Sequence, residues 1–105
     1  MVTTGLNRDY RRKIVAVDID KTLCKGGAWT HTEVLEAKPL QEAIDKINEI
    51  YETGFVILYT GRRGGMASPT IDWLQRHGVK YHAIKFDKMP FDYYVDVDAL
   101  RPDEL

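Results

Sequence analysis

Two uninterrupted apolar runs constrain the fold of this chain more than any other feature. Residues 14–17 read Ile-Val-Ala-Val and residues 55–59 read Phe-Val-Ile-Leu-Tyr; the first run stops at Asp18 and the second at Thr60. Short apolar runs of this kind, without polar alternation, are typical of strands that are buried on both faces. Because such a sheet needs cover on each side, the two runs predict an α/β fold.

The rest of the chain supplies a matching alternation of strands and helices. Pro39 opens a helical pattern whose apolar face extends to Tyr51, and Ser68 with Pro69 opens a second one that Gly78 stops. The predicted order is a strand at about 13–18, a loop or short β-flap at 25–38, a helix from Pro39, a strand at 55–59, a helix from Ser68 to His77, and strands at 81–86 and 91–95. With right-handed crossovers, all 105 residues form one domain with a three-layer, Rossmann-like, mainly parallel sheet flanked by helices.

The composition limits location and partners. The chain has 15 basic and 16 acidic residues and a formal net charge of -1, whereas general nucleic-acid binders carry a clear positive excess. Cys24 is the single cysteine, which excludes an internal disulfide. Neither a signal-peptide pattern nor an apolar stretch of ~20 residues occurs, so we expect a cytoplasmic protein that does not enter a membrane.

Polar residues stand where the predicted strands end. Asp18, Thr60 and Asp96 each close a strand, and the carboxyl ends of parallel strands meet at one edge of a sheet. Carboxylates gathered there repel one another and are tolerated mainly when a hard cation such as Mg²⁺ neutralises them. A threonine hydroxyl and a nearby lysine add donors for a phosphate group. The sequence therefore predicts a magnesium site and phosphoryl transfer.

Four motifs resemble those of the haloacid dehalogenase (HAD) superfamily over about residues 13 to 100. They are Asp18-Ile19-Asp20-Lys21-Thr22-Leu23, Val56-Ile57-Leu58-Tyr59-Thr60-Gly61-Arg62, Lys88, and the region of Asp96. More narrowly, Leu58-Tyr59-Thr60-Gly61-Arg62, Ile71-Asp72-Trp73-Leu74, Tyr94-Val95-Asp96 and Ala99-Leu100-Arg101-Pro102-Asp103-Glu104 look like the small capless members that act as capsular polysaccharide or sugar-phosphate phosphatases. The resemblance implies a HAD-like domain without a cap.

The resemblance also implies roles for four residues. Asp18 is the expected nucleophile, which forms an aspartyl-phosphate, and Asp20 is the expected acid and base. Thr60 is expected to hydrogen-bond the transferring phosphoryl group, and Lys88 to balance its charge. Lys85 is an alternative to Lys88, but it lies within the strand pattern, whereas Lys88 lies in the following loop, so Lys88 is favoured.

The metal ligands are also implied by the resemblance. Mg²⁺ is expected to bind the Asp18 carboxylate, the Asp20 backbone carbonyl and an acidic group after the last strand. Close relatives tend to have adjacent aspartates there, whereas Val97 separates Asp96 from Asp98 in this chain. The sequence leaves open whether Asp96, Asp98 or both bind the metal.

Two further points concern loop residues: one position departs from the family pattern, and one pair of residues has two interpretations. Lys21 stands where the family commonly has glycine, and we expect it to be tolerated if the backbone there is unstrained. Gly61 and Arg62 are candidates for substrate binding, because an arginine pair beside glycine at the active edge can grip an anionic group. The alternative is that Arg62 and Arg63 are solvated loop charges.

Three functions are compatible with these residues. The leading one is a magnesium-dependent phosphatase that acts on a sugar phosphate or similar small phosphate ester. The second is a phosphatase of 3'-phosphorylated nucleic-acid ends, against which the low basicity argues. The third is a catalytically decayed binding or regulatory module. Since a capless site is open, either a large substrate closes it or a neighbouring subunit serves as its lid, and we therefore expect a homo-oligomer.

Overall fold

Three parallel strands form the centre of the computed structural model, which describes residues 8–26 and 30–105. They are β1 (Ile14–Val17), β2 (Phe55–Tyr59) and β3 (Ala83–Lys85), arranged in the order β1-β2-β3. Both neighbouring pairs run parallel. The predicted α/β architecture with a parallel sheet is therefore confirmed.

Helices flank this sheet, and no cap domain occurs in the described residues. The helices are α1 (His31–Glu36), α2 (Gln41–Tyr51) and α3 (Ala67–Arg76), with short 3-10 turns at Gly64–Met66 and Pro102–Glu104. None of the helices in the described ranges is long and apolar enough to cross a membrane.

The core forms where α2 and α3 pack against the sheet. Every third residue of α2 is buried, at Ile44, Ile47 and Ile50, so one helix face is wholly apolar. From α3, Trp73 is buried while its indole Nε1 donates a hydrogen bond of 2.8 Å to the carbonyl of Ala37. The bond satisfies the one polar atom of that side chain and fixes the segment after α1 against α3.

Both predicted helices are present, but each begins at a different residue from the one predicted. Leu40 donates its N–H to the carbonyl of Leu23 at 2.8 Å, and Pro39 forms an isolated bridge with Cys24, so the chain is still extended there and α2 starts at Gln41. In α3, Ser68 is not the cap, because a 3-10 turn runs into the helix at Ala67.

The helix α1 was not predicted, because residues 25–38 were assigned to a loop or β-flap; residues 27–29 lie outside the described residues. A reciprocal capping box starts this helix: Glu33 N–H donates to Thr30 Oγ1 and Thr30 N–H donates to Glu33 Oε1, both at 3.1 Å. The spacing Thr-x-x-Glu is a known start signal for helices, so the sequence did carry evidence for α1.

The predicted strand at 91–95 is wrong. Its residues are exposed and unpaired with the sheet, and Val95 is 95% exposed. Hydrogen bonds in this part are local: the Tyr94 hydroxyl and the Asp98 N–H both donate to the Asp96 carboxylate. Aromatic and β-branched residues favour a strand only where a partner edge is available, and here the segment satisfies its polar groups itself.

We predict that Thr30→Ala lowers the free energy of unfolding by about 1 kcal/mol, because it removes one half of the capping box. Urea denaturation followed by circular dichroism measures this difference. Thr32→Ala, in the first turn of the same helix but without a capping bond, is the matched control and should change stability by less than about 0.5 kcal/mol. Equal effects of the two substitutions would contradict the assignment of the cap.

Candidate functional site

Asp18 is the first residue after β1 and lies half-exposed at the edge of the sheet. Its Oδ1 accepts a 2.7 Å hydrogen bond from the Ile19 N–H, which fixes the carboxylate near the backbone. The chain then turns, and the N–H of Leu23 donates to the carbonyl of Ile19 at 2.8 Å. Because Ile19 and Leu23 are fully buried, the core holds this turn and thereby the carboxylate in place.

Lys21 lies in this turn with φ at +65°, in the left-handed region. The condition under which Lys21 was expected to be tolerated, an unstrained backbone, is therefore not met. A residue with a Cβ costs about 1–2 kcal/mol in that conformation, whereas glycine adopts it freely. The geometry explains on steric grounds why glycine suits this position, and it means that the surrounding turn holds Lys21 in a strained conformation.

Lys88 lies beside Asp18, with Nζ 3.4 Å from Asp18 Oδ2. Two backbone bonds of 2.9 Å place it there: Lys88 N–H donates to the Thr60 carbonyl and Asp87 N–H donates to the Arg62 carbonyl. These bonds tie the loop after β3 to the loop after β2. Of the two candidate lysines, Lys88 has the position predicted for the site, whereas Lys85 is the exposed last residue of β3.

Arg62 does not have the predicted arrangement for substrate binding, since only 8% of it is exposed. Its Nε donates to Asp20 Oδ2 at 3.0 Å, and its Nη2 donates to Asp20 Oδ1 at 2.7 Å. Its Nη1 donates to Thr70 Oγ1 at 3.0 Å. A guanidinium held by these partners positions the Asp20 carboxylate and has no free face for a ligand, so the substrate-binding assignment of Arg62 is corrected.

Thr60 and Gly61 link these two parts of the site. Thr60 is fully buried, and its hydroxyl oxygen accepts the N–H of Arg62 at 3.1 Å. This bond closes a tight turn after β2, as threonine hydroxyls commonly do. Gly61 is exposed, and a Cβ added to it would meet only the carbonyl of Lys88, at 3.8 Å. Thr60 therefore stabilises the loop from its buried side, and Gly61 lies on the surface.

A groove of about 1060 Å³ runs along the whole of the edge strand β1, from residues 8–10 to Asp18 at its carboxyl end. Its lining includes Asp18, Lys88 and the pair Asp96 and Asp98. Asp20, Thr60, Gly61 and Arg62 lie outside this lining. The structure thus brings the predicted nucleophile and lysine together in the groove. Of the other predicted catalytic residues, Asp20 has a partly exposed side chain and Thr60 is buried.

The predicted magnesium ligands do not form a preformed site. Within residues 8–26 and 30–105, no three His, Cys, Asp or Glu side chains lie close enough together to hold a metal ion. The oxygen donors are of the type that Mg²⁺ prefers, and the expected donor of Asp20 is its backbone carbonyl rather than the carboxylate that Arg62 holds. The Tyr94 hydroxyl donates to Asp96 and lowers the pKa of that carboxyl, so a local bond engages one of the two candidate acidic ligands. The predicted ligands are thus of the right chemical type, but their side chains are not gathered into one cluster in the described residues.

Cys24 lies behind the Asp20 and Arg62 pair. Its Sγ is 3.7 Å from Asp20 Oδ1 and 3.6 Å from Arg62 Nη2. Burial, and secondarily the Asp20 charge, raise the pKa of the thiol to about 11. A thiol with this pKa is protonated at neutral pH, so Cys24 is not a nucleophile there.

Two features of the site were not predicted. The rings of Tyr59 and Phe91 lie 5.5 Å and 5.7 Å from Lys88 Nζ, within the range of cation–π contacts. Thr70 anchors Arg62 from the first turns of α3. The ring contacts depend on how the loop after β3 folds back, which no local pattern reveals. The available sequence signal for Thr70 was a threonine placed among apolar residues on the same helix.

Comparison with known proteins supports the fold. The chain is similar to a crystal structure described as an MCSG target from Vibrio cholerae, with a TM-score of 0.71 and 25% sequence identity. The likeness covers 88% of this chain and 85% of that one. No protein-family model matches the chain, and a search of curated proteins gave no match.

We predict that Arg62→Lys lowers the free energy of unfolding by about 1–3 kcal/mol, because an ammonium cannot bridge Asp20 and Thr70 as the planar guanidinium does. Chemical denaturation measures the change. Arg63→Lys is the matched control, since Arg63 and Asp87 form an exposed ion pair at 3.5 Å whose loss costs less than about 0.5 kcal/mol. A neutral Arg62→Lys would contradict a structural role for the network.

We predict slow modification of Cys24 by a thiol reagent in the folded protein. With a pKa of about 11, only about 0.1% of the thiol is ionised at pH 8, and the rate should rise about tenfold per pH unit toward pH 10. The rate is followed with an aromatic disulfide reagent. The urea-unfolded chain, with an ordinary thiol, is the control and should react much faster at pH 8. Equal rates in both states would contradict the prediction.

Proposed function

We propose that this chain is a phosphatase of small phosphate monoesters that works through an aspartyl-phosphate at Asp18. One observation carries the proposal: a partly exposed carboxylate at the carboxyl end of a central strand has the Lys88 ammonium at 3.4 Å, and both face one groove. The carboxyl ends of parallel strands are where open α/β sheets bind their ligands. The HAD motifs identified in the sequence agree with this use of the two residues.

The reaction has two displacements. In the first, an Asp18 carboxylate oxygen bonds to phosphorus as the bond between phosphorus and the ester oxygen breaks, and the leaving alcohol takes a proton from Asp20. In the second, a water molecule gives a proton back to Asp20 and attacks the same phosphorus, which releases Asp18 and inorganic phosphate. Lys88 stabilises the negative charge of the phosphoryl group throughout.

Asp20 can serve as acid and base in this proposal because its side chain, two residues after Asp18 in the chain, remains 32% exposed. Arg62 fixes the orientation of its carboxylate, so the proton is delivered from a defined position. Thr60 contributes by closing the turn that places Arg62. The Thr60 hydroxyl is buried, so its direct hydrogen bond to the phosphoryl group rests on the family resemblance alone.

Magnesium dependence is part of the proposal, but no step is assigned to the ion. The carboxylates of Asp18, Asp96 and Asp98 line the same groove. Carboxylate oxygens are the ligands that Mg²⁺ prefers, and this chemistry alone supports a cation in the groove. A HAD-like enzyme would use Mg²⁺ to neutralise the phosphoryl oxygens. The assay therefore varies this ion explicitly.

The proposed substrate is a sugar phosphate or similar small ester in the cytoplasm. The chain has a net charge of -1, and the groove lining carries as many acidic as basic residues, so neither supplies the positive excess that a polyanion needs and nucleic-acid ends are disfavoured. In the described residues the predicted metal ligands are not gathered into one cluster. This observation favours a second candidate function, a binding module that has lost catalysis. A homo-oligomer that covers the open groove remains part of the proposal.

We predict that the native chain releases phosphate from sugar phosphates in the presence of Mg²⁺ and that Asp18→Asn reduces release to background, because an amide cannot form the acyl phosphate. Phosphate release is measured across sugar phosphates, nucleotides, a 3'-phosphorylated oligonucleotide and an aryl phosphate, with and without Mg²⁺. Asp92→Asn, an exposed aspartate outside the groove, is the matched control and should keep full activity.

A folded native chain that releases no phosphate from any ester would overturn the phosphatase proposal and favour the binding module. Release only from the oligonucleotide would replace the substrate class. Release that does not respond to Mg²⁺ or to chelation would remove the metal from the proposal while keeping Asp18.

A further inference from the structure

The groove has an aromatic wall beside the catalytic lysine. Lys88 Nζ lies between two rings, 5.5 Å from the centre of Tyr59 and 5.7 Å from that of Phe91. The ring of Tyr94 continues this surface, at 5.4 Å from Phe91 between ring centres. All three residues line the groove together with Asp18.

These rings are unusually accessible for large apolar groups. Tyr59 is 38% exposed, Phe91 52% and Tyr94 60%, although buried positions are the usual place for aromatic side chains. Aromatic surface combined with a few convergent polar groups is typical of small-molecule sites. The polar groups here are the Asp18 carboxylate and the Lys88 ammonium, which lie in contact.

From this juxtaposition we infer that Tyr59 and Phe91 bind the organic part of the substrate, so that the substrate is a phosphate monoester whose alcohol carries a ring. The inference rests on the proposed phosphatase function and assigns the substrate class of the same site. A phosphoryl group bound at Asp18 lies within reach of Lys88, and the two rings 5.5 and 5.7 Å from Lys88 Nζ are therefore close enough to contact the alcohol part of the same ester. A ring attached to that oxygen, sugar or nucleoside, then lies against an aromatic face.

The acidic rim limits the ligand further. Asp96 and Asp98 line the groove, and the Asp96 carboxylate accepts the hydroxyl of Tyr94 at 2.7 Å. A second phosphate placed against these two carboxylates would be repelled, which favours monophosphates there, while the groove as a whole also carries Arg8, Lys13 and Arg101. Hydroxyl groups of a ring, in contrast, can donate to free lone pairs of the same carboxylates.

The test compares three monophosphates of primary alcohols, whose leaving groups have similar acidity: glucose 6-phosphate, adenosine 5'-monophosphate and glycerol 3-phosphate. We expect kcat/KM of the native chain to be at least about tenfold higher for one of the ring-bearing esters than for the acyclic one. The first two arms distinguish a sugar ring from a nucleobase as the group that is recognised.

Substitutions then locate the ring-binding surface. Tyr59→Leu and Phe91→Leu should each reduce the ratio of ring-bearing to acyclic kcat/KM to about threefold or less, whereas Tyr59→Phe, which retains the ring, should preserve the ratio. Tyr93→Leu is the matched control, because Tyr93 is 90% exposed and lies outside the groove. The control should leave both the ratio and the activity unchanged.

Three outcomes would overturn the inference. Equal kcat/KM for all three esters in an active native chain would reject ring recognition while leaving the phosphatase in place. A second copy that covers the rings would appear in light scattering as a dimer that Phe91→Leu dissociates without changing the substrate ratio. A native chain with no phosphatase activity would remove the proposed function, and this inference with it.

Discussion

The ion pair between Arg62 and Asp20 holds together the parts of this protein that make up its functional edge. Arg62 follows β2, Asp20 lies in the turn after β1, and Thr70 belongs to α3, so one buried guanidinium connects three elements. Because the charge is desolvated, its orientation depends on all three partners at once. The position of Asp20, the closed turn at Thr60 and the start of α3 against the sheet all depend on this contact.

The sequence predicted the elements whose signals are local. Each of these signals lies within one short stretch of the chain: the apolar runs at β1 and β2 and the apolar face of α2. They could therefore be found without tertiary information. The helix α1 has only six residues, and its capping box at Thr30 is a weaker signal than periodicity. The segment 91–95 has strand composition, but composition does not say whether a neighbouring strand edge is available.

The candidate site was predictable to a similar degree. Asp18 could be placed because it follows a buried strand, and Lys88 through its resemblance to the family's third motif; the structure puts them 3.4 Å apart. The partner of Arg62 could not be predicted, because the sequence around a loop arginine beside glycine does not distinguish a side chain that faces solvent from one that is buried. The aromatic wall depends on the return of the chain after Lys88, which follows from long-range backbone bonds to Thr60 and Arg62.

The parallel pairing of the strands also determines when this site can exist during folding. Ile14 pairs with Phe55, about 40 residues along the chain, so the first strand pair closes a long loop before any contact between strands forms. Asp18 follows β1 and Lys88 follows β3. Asp18 and Lys88 can therefore meet only when both strand pairs have formed, so the carboxylate gains its cation only in the complete sheet.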